Sequence, residues 1–249
     1  MRARAIRRWI GTLRRWPVHP QWLLSVSRER RDLQSALAPL CGRVLDIGCA
    51  DKHVGARLPE GCSYIGLDYP DTAIAMYRTR PDVFADACRL PFADASLQAV
   101  ILKDVLEHVC GPQRALAEIG RVLCNGGKLV LWMPFIYPIH DAPHDFQRFT
   151  EHGLRDYLAR HGLRVIELKP VLKPVATASL MCCLAFADMA ETILLRRCWL
   201  LPVLPVLALL VLLTNLLGKA WSWLPASTFM PAFYRVLAVR EPRLHEVET

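Results

Sequence analysis

Two apolar runs in the sequence end in acidic residues, and the first acid is followed by a glycine. Asp46 and Gly48 close the first run, and Asp68 closes the second, 22 residues after Asp46. A tight turn after a buried strand lets the backbone approach a ligand, and an acid about twenty residues further on can bind both ribose hydroxyls. The dinucleotide fingerprint G-x-G-x-x-G is not formed, because Gly48 is followed by Ala50 and by Asp51-Lys52-His53. Unless this is an ordinary strand–turn–helix corner, the pattern favours a nucleoside ligand without phosphates.

A second group of chemically capable residues follows the fifth predicted strand, in the stretch 134–150. His140, His144, Asp145 and Arg148 lie close together there. Histidine titrates near neutral pH and can act as a general base, and arginine can bind an anionic substrate group. The alternative is a local ion pair between Asp145 and Arg148, with a histidine bonded to the backbone. The sequence has no Cys/His cluster with zinc spacing, so we expect no metal ligands.

The residues around the next predicted helix carry signals for where a helix begins and ends. Asp104 and Glu107 fit a capping box, and we interpret Glu107 and His108 as helix-cap and packing residues. Pro112 stands where a first helical residue would, and Asn125-Gly126-Gly127 is expected to end that helix.

Predicted strands and helices alternate, as in a mostly parallel sheet that is covered by helices on both faces. Strands buried on both faces read as short apolar runs, and seven segments have this character. The predicted strands are 43–48, 63–68, 83–86, 97–102, 128–133, 163–168 and 233–239. Helices are predicted near 21–38 and 52–58, after Pro112 and at 151–160.

Two segments do not follow this alternation. Residues 1–43 hold ten Arg and two acids and therefore sum to +8, whereas the rest of the chain is neutral. Apolar residues at helical spacing predict a basic amphipathic helix over 2–15. Residues 170–232 form an apolar insert between the sixth and seventh strands. We therefore expect a basic helical arm at 1–42, an α/β domain at 43–169 plus 233–240, and an apolar helical insert at 170–232 that associates with a membrane.

The cysteines and the N-terminus favour a reducing compartment. The nine Cys are odd in number and have no CxxC spacing, which predicts free thiols in the cytoplasm. The N-terminus has the Arg of a signal peptide but no apolar run behind it, so we do not expect export.

Five motifs occur in an order that resembles the class I S-adenosylmethionine-dependent methyltransferases, type 11 subgroup. They are Val44–Ala50, Leu67–Asp68, Asp86 to Phe92, Asp104–His108 and Arg121 to Gly127. The resemblance covers about 43–169 and resumes at the seventh strand. It implies a Rossmann-like seven-stranded sheet with helices on both faces, S-adenosylmethionine as the cofactor, and methyl transfer as the reaction. The 134–150 stretch also resembles a loop of one methyltransferase subgroup.

The resemblance also implies a role for individual residues. Asp46 and Gly48 would shape the pocket for the methionine part of the cofactor, and Asp68 would bind the ribose. The other implied cofactor residues are Asp86 and Ala87 at the adenine, Lys103 on the methyl-donor side, and Ala50 and Tyr69. Two family glycines are replaced, by Ala50 and Lys52. Alanine is a mild change if its φ is negative, whereas Lys52 brings a cation near a sulfonium unless it turns away.

Three functions are compatible with these residues. We favour an enzyme that methylates a hydroxyl of an amphiphilic, lipid-linked or cell-surface glycan-type acceptor. The second is an RNA or protein methyltransferase whose arm contacts phosphates; the arm lacks interleaved base-stacking residues, so we expect no nucleic-acid partner. The third is a regulator that binds S-adenosylmethionine without catalysis. The sequence leaves the oligomeric state open.

The apolar insert raises the question of membrane topology. Cys198–Gly218 has 21 uncharged residues, enough to cross a bilayer. A single crossing would place residues 169 and 233 on opposite sides, although both flank strands of one sheet. The apolar run from Val175 has only about 13 residues before Asp188, short of the roughly twenty that a second crossing needs. We therefore expect a monotopic insert at the cytoplasmic face, with the arm drawn to anionic lipid. The alternative is a soluble lid or a dimer interface.

Overall fold

The computed structural model of the protein describes residues 13, 15–24, 26–196 and 198–242. The predicted basic helix over 2–15 therefore lies almost wholly outside the described residues. The chain folds as two compact units, one containing the sheet (33–135, 139–169 and 233–249) and one mainly helical (1–32, 136–138 and 170–232). We call them the sheet unit and the helical unit.

The sheet has seven strands in the order β3-β2-β1-β4-β5-β7-β6. The strands are β1 (Arg43–Ile47), β2 (Ser63–Asp68), β3 (Val83–Phe84), β4 (Leu97–Lys103), β5 (Leu123–Pro134), β6 (Leu163–Val171) and β7 (Phe233–Arg240). The pairs β1–β2, β1–β4, β2–β3 and β4–β5 are parallel, and β5–β7 is antiparallel. The predicted Rossmann-like, mostly parallel sheet is confirmed. Its strand order reverses between β1 and β4, where such sheets bind ligands.

Alternate residues of the central strands enter two apolar clusters, one on each face of the sheet. In β4, Leu97, Val100 and Leu102 belong to one cluster, and Ala99 and Ile101 belong to the other. Helix α2 (Pro112–Val122) contributes to the first cluster, and α1 (Val26–Leu37) contributes Leu33, Ala36 and Leu37 to the second. A third helix, α3 (Glu151–Arg160), begins with Thr150 accepting a hydrogen bond from the Gly153 backbone. Burial on both faces explains why these strands are apolar throughout.

Three local predictions in the sheet unit were wrong. The predicted helix at 52–58 is only a 3₁₀ turn, Gly55–Arg57. Asp104 and Glu107 form no capping box, because that segment is a 3₁₀ turn (Leu106–His108) and the Asp104 carboxylate pairs with Lys103 instead. Helix α2 ends at Val122, before the three residues expected to end it, and β5 begins at once with a register shift against β4.

The helical unit contains two long apolar helices, α4 (Pro174–Arg196) and α5 (Leu204–Trp221), joined through a 3₁₀ segment (Cys198–Val203). By length and composition, segments 174–196 and 199–221 could each cross a membrane. The prediction that the element from Val175 is too short is therefore wrong. Two acids interrupt the apolar run, but they do not end a helix, and α4 has 23 residues, about 34 Å of length.

Candidate active site

The turn after β1 needs its glycine for two reasons. Gly48 has a φ of +72°, and a Cβ atom there would lie 2.3 Å from a methyl carbon of Val105. The backbone N–H groups of Gly48 and Cys49 both donate to the Leu67 carbonyl, 2.8 and 3.1 Å away. The chain at the end of β1 is thus held tightly between β2 and the residues after β4.

Asp68, at the end of β2, is buried and organises the neighbouring loops. Its Oδ2 accepts from the Ala50 backbone at 3.1 Å, and its Oδ1 accepts from the Tyr69 backbone at 2.8 Å and from the Thr72 hydroxyl at 3.2 Å. Tyr69 itself is exposed. Each carboxylate oxygen has about two acceptor positions, so Asp68 keeps about one position, on Oδ2, for a ligand hydroxyl while it fixes the turn after β1.

Ala50 and Lys52, which stand where the family has glycines, differ in how the structure accommodates them. Ala50 has a φ of +43°, so the condition for a mild substitution is not met, and this residue occupies a region that favours glycine. Lys52 also has a positive φ, of 57°. Its ammonium turns to Asp82, with Nζ and Oδ1 2.5 Å apart. This contact lowers the pKa of Asp82. The Lys52 cation is therefore neutralised by a carboxylate.

Asp46 in β1 is a buried acid. Its Oδ2 accepts from the Tyr64 hydroxyl at 2.8 Å. Burial raises the pKa of Asp46 to about 7, although the Tyr64 hydrogen bond and the charge of Lys103 act in the opposite direction. Lys103, the last residue of β4, donates to the Asp104 carboxylate at 2.6 Å. The acids of β1 and β2 and the lysine of β4 thus lie at the carboxyl ends of adjacent strands.

The loop after β3 carries Asp86 and Ala87. The Asp86 Oδ1 accepts from the Cys88 backbone at 2.8 Å, and Ala87 is buried. Arg121, near the end of α2, fixes the continuation of this loop by donating to the Leu90 and Phe92 carbonyls and to the carboxylates of Glu118 and Asp94. The arginine of the fifth sequence motif therefore supports the loop that carries the third motif.

The loop after β5 contains the predicted ion pair. Arg148 contacts both oxygens of Asp145, at 2.5 and 2.8 Å, and the side chain of Asp145 is only 3% exposed. The arginine lowers the pKa of Asp145. The same carboxylate accepts from the His140 backbone at 2.9 Å and lies 3.3 Å from His140 Nδ1. Asp145 and Arg148 therefore position His140.

This loop is tied to the segment after β4. Phe146 donates through its backbone to the Glu107 carbonyl at 2.9 Å, and the Gln147 amide donates to the Leu106 and Val109 carbonyls. These bonds bring His140 beside His108, with ring centroids 4.8 Å apart. The His144 imidazole is instead near Phe146 and exposed, and only its backbone carbonyl contacts His108. Of the two predicted histidines, His140 lies in the cluster.

Glu107 is the functional candidate that the sequence interpretation missed. Its side chain is 0% exposed and its Oε1 lies 3.8 Å from His140 Nε2 and 3.9 Å from His108 Nε2. Burial, followed by the charge of Asp104, raises the pKa of Glu107 to about 8. A Glu-His pair after a strand that ends at the ligand-binding edge was the available signal, but the capping pattern offered a simpler interpretation.

Comparison with known proteins agrees with this arrangement. A family model described as a methyltransferase domain matches residues 45–131. A protein of Mycobacterium tuberculosis, described as a probable S-adenosylmethionine-dependent methyltransferase, is 30% identical over 61% of this chain and 68% of its own length. A demethylmenaquinone methyltransferase of Renibacterium salmoninarum is 36% identical over 42% of this chain and 46% of its own length.

Solved structures support the fold. A methyltransferase from Archaeoglobus fulgidus that depends on S-adenosylmethionine superposes with a TM-score of 0.52 at 17% identity, over 86% of this chain and 92% of that one. The sheet order and its carboxyl edge define an α/β protein with a nucleoside-type site. The chain belongs to the class I S-adenosylmethionine-dependent methyltransferases, type 11 subgroup, and is an enzyme that uses S-adenosylmethionine.

The residues at this edge fit that cofactor. Gly48 makes the sharp turn after β1 with a positive φ, and the buried Asp68 accepts from the backbone of the same turn at Ala50. The Lys52 ammonium, which would repel a sulfonium, is paired with Asp82. The departures from the family glycines therefore do not close the site.

Proposed function

We propose that the enzyme methylates a hydroxyl of an amphiphilic acceptor, of the lipid-linked or cell-surface glycan type, at the cytoplasmic face of a membrane. The observation that carries this proposal is the surface of the helical unit, where large apolar residues are exposed while the polar side chains of Asn215 and Thr177 are buried beside apolar ones such as Leu180. Surface helices of water-soluble proteins expose a polar face instead.

The interior of the helical unit depends on polar contacts. Asn215 of α5 is completely buried and donates to the carbonyls of Pro17 and His19, at 2.7 and 2.9 Å. A Cβ on Gly218 would lie 2.6 Å from the Ser179 hydroxyl oxygen of α4, so the two helices approach closely at this pair. Small residues that allow close approach and polar residues that bond between segments are the features of helix packing in membranes.

The outer face of α5 is apolar along its whole length. Six residues at helical spacing are exposed: Val206, Leu209, Leu210, Leu213, Leu216 and Leu217. Trp199 precedes this face, and Trp221 and Trp223 follow it, all exposed, as residues at a membrane interface are. In segments 174–196 and 199–221, only 22% and 17% of the most apolar windows are buried, whereas a core helix of a soluble protein is mostly buried. We infer that lipid covers this face.

Two helices of crossing length would also satisfy the topology. An even number of crossings returns the chain to the side it started from, so β6 and β7 can share one sheet. A hairpin that only dips into the leaflet satisfies the same condition. We favour the second arrangement, because the C-terminal part of α4 carries Asp188, Glu191 and Arg196, which are costly inside hydrocarbon.

For the donor, we propose the roles that the family implies. Asp68 would bind the ribose hydroxyls, Asp46 and Gly48 would shape the methionine pocket, and Asp86 with the Ala87 backbone would contact the adenine. The remaining cofactor candidates are Lys103, which pairs with Asp104, and Ala50 and Tyr69, which bond to Asp68 through their backbones. Bound S-adenosylmethionine supplies a methyl group attached to a positively charged sulfur.

For the acceptor, we propose His140 as the base that removes the hydroxyl proton. Its ring is held by Asp145, and the pair lies in a loop at the carboxyl edge of the sheet. His144 remains the second candidate. Positioning of the acceptor hydroxyl in line with the methyl–sulfur bond supplies the rest of the rate. Asp145 and Arg148 act through His140.

Transfer from donor carrying a labelled methyl group tests the acceptor class. The full-length protein is incubated with a cell extract, and lipid, RNA and protein fractions are then separated and counted. We expect label in the lipid fraction, and loss of that label with His140→Ala. Label in RNA or protein would favour the second hypothesis. Donor binding without transfer to any fraction would favour a non-catalytic regulator.

A further inference from the structure

Three side chains from two segments of the sheet unit, one of them the proposed base His140, form a cluster. Glu107 and His108 follow β4, and His140 lies in the loop after β5. One ligand atom from each, the Glu107 oxygen and an imidazole nitrogen from each histidine, all lie within 4.8 Å of one another. Carboxylate and imidazole groups are common ligands of divalent transition metals.

The Glu107 carboxylate is the strongest indication of a ligand. The side chain is completely buried, and within the part of the chain that the structure describes neither oxygen accepts a hydrogen bond. Burying a carboxyl group without a hydrogen-bond partner is costly, and buried carboxyl groups are normally hydrogen-bonded, paired or bound to metals. The nearest cationic candidates are the two imidazoles, at 3.8 and 3.9 Å, beyond hydrogen-bond distance.

Both histidines are oriented as metal ligands usually are. His108 Nδ1 lies 2.6 Å from the His144 carbonyl oxygen, and because a carbonyl only accepts, this nitrogen carries the proton. His140 Nδ1 lies 3.3 Å from the Asp145 carboxylate, which Arg148 holds in place. The other ring nitrogen of each histidine, Nε2, lies 3.9 or 3.8 Å from the Glu107 carboxyl oxygen. Metal-binding histidines typically donate their other N–H to a carbonyl or carboxylate in this way.

We propose that Glu107, His108 and His140 bind one divalent transition-metal ion, with zinc as the best-fitting candidate. Tetrahedral zinc with ligands at about 2.1 Å places those ligands about 3.4 Å apart. The two nitrogen–oxygen distances exceed this by about half an ångström, and the whole cluster lies within 4.8 Å, so side-chain rotations must draw the three ligand atoms together. Magnesium and calcium prefer oxygen ligands, so two imidazoles argue against them. This proposal replaces the sequence-based expectation of no metal.

Three protein ligands leave a coordination position open, as in catalytic rather than structural zinc sites. Val105, two residues before Glu107, touches the turn of Gly48 closely enough that a Cβ there would clash. The metal site therefore shares an edge of the sheet with the cofactor site. With the metal bound, His140 would be a ligand rather than a free base. If the proposed function is right, the open position would receive the acceptor hydroxyl and the metal would make its proton easier to lose; metal binding itself does not depend on that function.

Metal titration of the full-length protein tests the site without any acceptor. The chain is freed of metal with a chelator, and zinc is titrated in competition with a chromophoric chelator. We expect one tight equivalent per chain, and a Glu107→Gln variant that binds at least tenfold more weakly. His152→Ala removes an exposed histidine of α3 and should leave binding unchanged. Asp145→Asn, which weakens the support of His140 together with the pair to Arg148, should weaken binding by about 10- to 100-fold.

The cobalt-substituted protein identifies the ligands. The visible spectrum should show nitrogen and oxygen ligation without the intense thiolate bands that binding to the nine cysteines would give. Circular dichroism of each variant checks that the sheet unit remains folded; if Glu107→Gln unfolds, His108→Ala replaces it. The proposal is overturned by no tight equivalent, by thiolate bands, or by equal affinity in the Glu107 or His108 variant and the His152 control. A protein that binds zinc but methylates no lipid would contradict only the proposed function.

Discussion

The sheet unit and the helical unit differ in what they expose. In the sheet unit, both faces of the central strands are packed with Leu, Ile, Val and Ala, and Ala99 to Leu102 are completely inaccessible. In the helical unit, Asn215, Thr177 and Ser179 are buried beside apolar residues, while a row of leucines on α5 is exposed. The first arrangement is the result of folding in water, and the second is typical of helices that face lipid.

Buried polar groups consequently have different meanings in the two units. In the sheet unit, Asp46, Asp68 and Glu107 are buried at or beyond the carboxyl ends of β1, β2 and β4, where parallel sheets bind ligands. In the helical unit, the buried polar side chains lie where segments of the chain pack together, as Asn215 does against residues 17 and 19. The comparison thus predicts chemistry for the first group and helix packing for the second.

The largest expected effect follows from removing the base at the carboxyl edge. We expect His140→Ala to lower the rate of methyl transfer by about 10²–10⁴-fold, because proton removal by a positioned base contributes that much. The affinity for S-adenosylmethionine, measured by calorimetry, should not change. His144→Ala should have a smaller effect, because its imidazole is exposed. Full activity in both variants would place the base elsewhere and remove this reason for assigning chemistry to the loop.

A charge on the outer face of α5 tests the other half of the comparison. Leu213 is 47% exposed, and Leu213→Asp should reduce binding to vesicles of phosphatidylcholine and phosphatidylglycerol by about 100-fold, since a central aspartate costs about 2.5–3.5 kcal/mol in hydrocarbon. Ile166→Asp is the matched control, because Ile166 is 53% exposed on β6 of the sheet unit. Flotation of the full-length protein in high salt measures both. Equal flotation of the two variants, or a parent protein that never floats, would favour a soluble lid or a dimer interface.

The sheet could be predicted because each parallel strand is buried on both faces and appears as an apolar run of its own. The motifs at the ends of β1 and β2 were also readable, since their spacing follows from strand, turn and helix lengths. The length of α4 could not be predicted, because Asp188 and Glu191 end the apolar run without ending the helix. Hydropathy describes the environment of a helix better than its bounds.

Glu107 could not be assigned from the sequence for a different reason. Its environment depends on the loop after β5 closing over residues 106–109 through the backbone of Phe146 and the amide of Gln147, which are far away in sequence. Likewise, the positive φ of Ala50 follows from the tight packing of the turn and from the Asp68 carboxylate that holds its N–H. Local patterns contain neither contact.

Arg121 is a polar residue of the sheet unit whose role is structural. It therefore contrasts with the buried acids at the carboxyl edge of the sheet, to which we assign ligand binding. We expect Arg121→Ala to lower the free energy of unfolding by about 2 kcal/mol, because it removes charged hydrogen bonds to Glu118 and to the loop carbonyls. Arg155→Ala, which breaks an exposed pair with Glu151, should change stability by less than about 0.5 kcal/mol. Urea unfolding followed by circular dichroism gives both values. A loss in Arg121→Ala no larger than that of the control would mean that the loop of Asp86 is held by other contacts.

The smallest expected effect concerns the donor site, where Asp68 both supports the turn and is proposed to bind the ribose. We expect Asp68→Ala to weaken S-adenosylmethionine binding at least tenfold, about 1.4 kcal/mol, because charged hydrogen bonds to the ribose hydroxyls are lost. Asp156→Ala, on the exposed face of α3, is the control for removing an acid. Calorimetry measures the affinity.

Because Asp68 also holds the backbones of Ala50 and Tyr69, the same titration with adenine in place of the donor separates the two roles of Asp68. A ligand without ribose should bind both variants equally if the loss is due to the hydroxyls, whereas equal weakening of both ligands would mean that the turn has collapsed. Unchanged donor affinity would contradict the ribose assignment, and with it the claim that buried acids of the sheet unit are there to bind ligands.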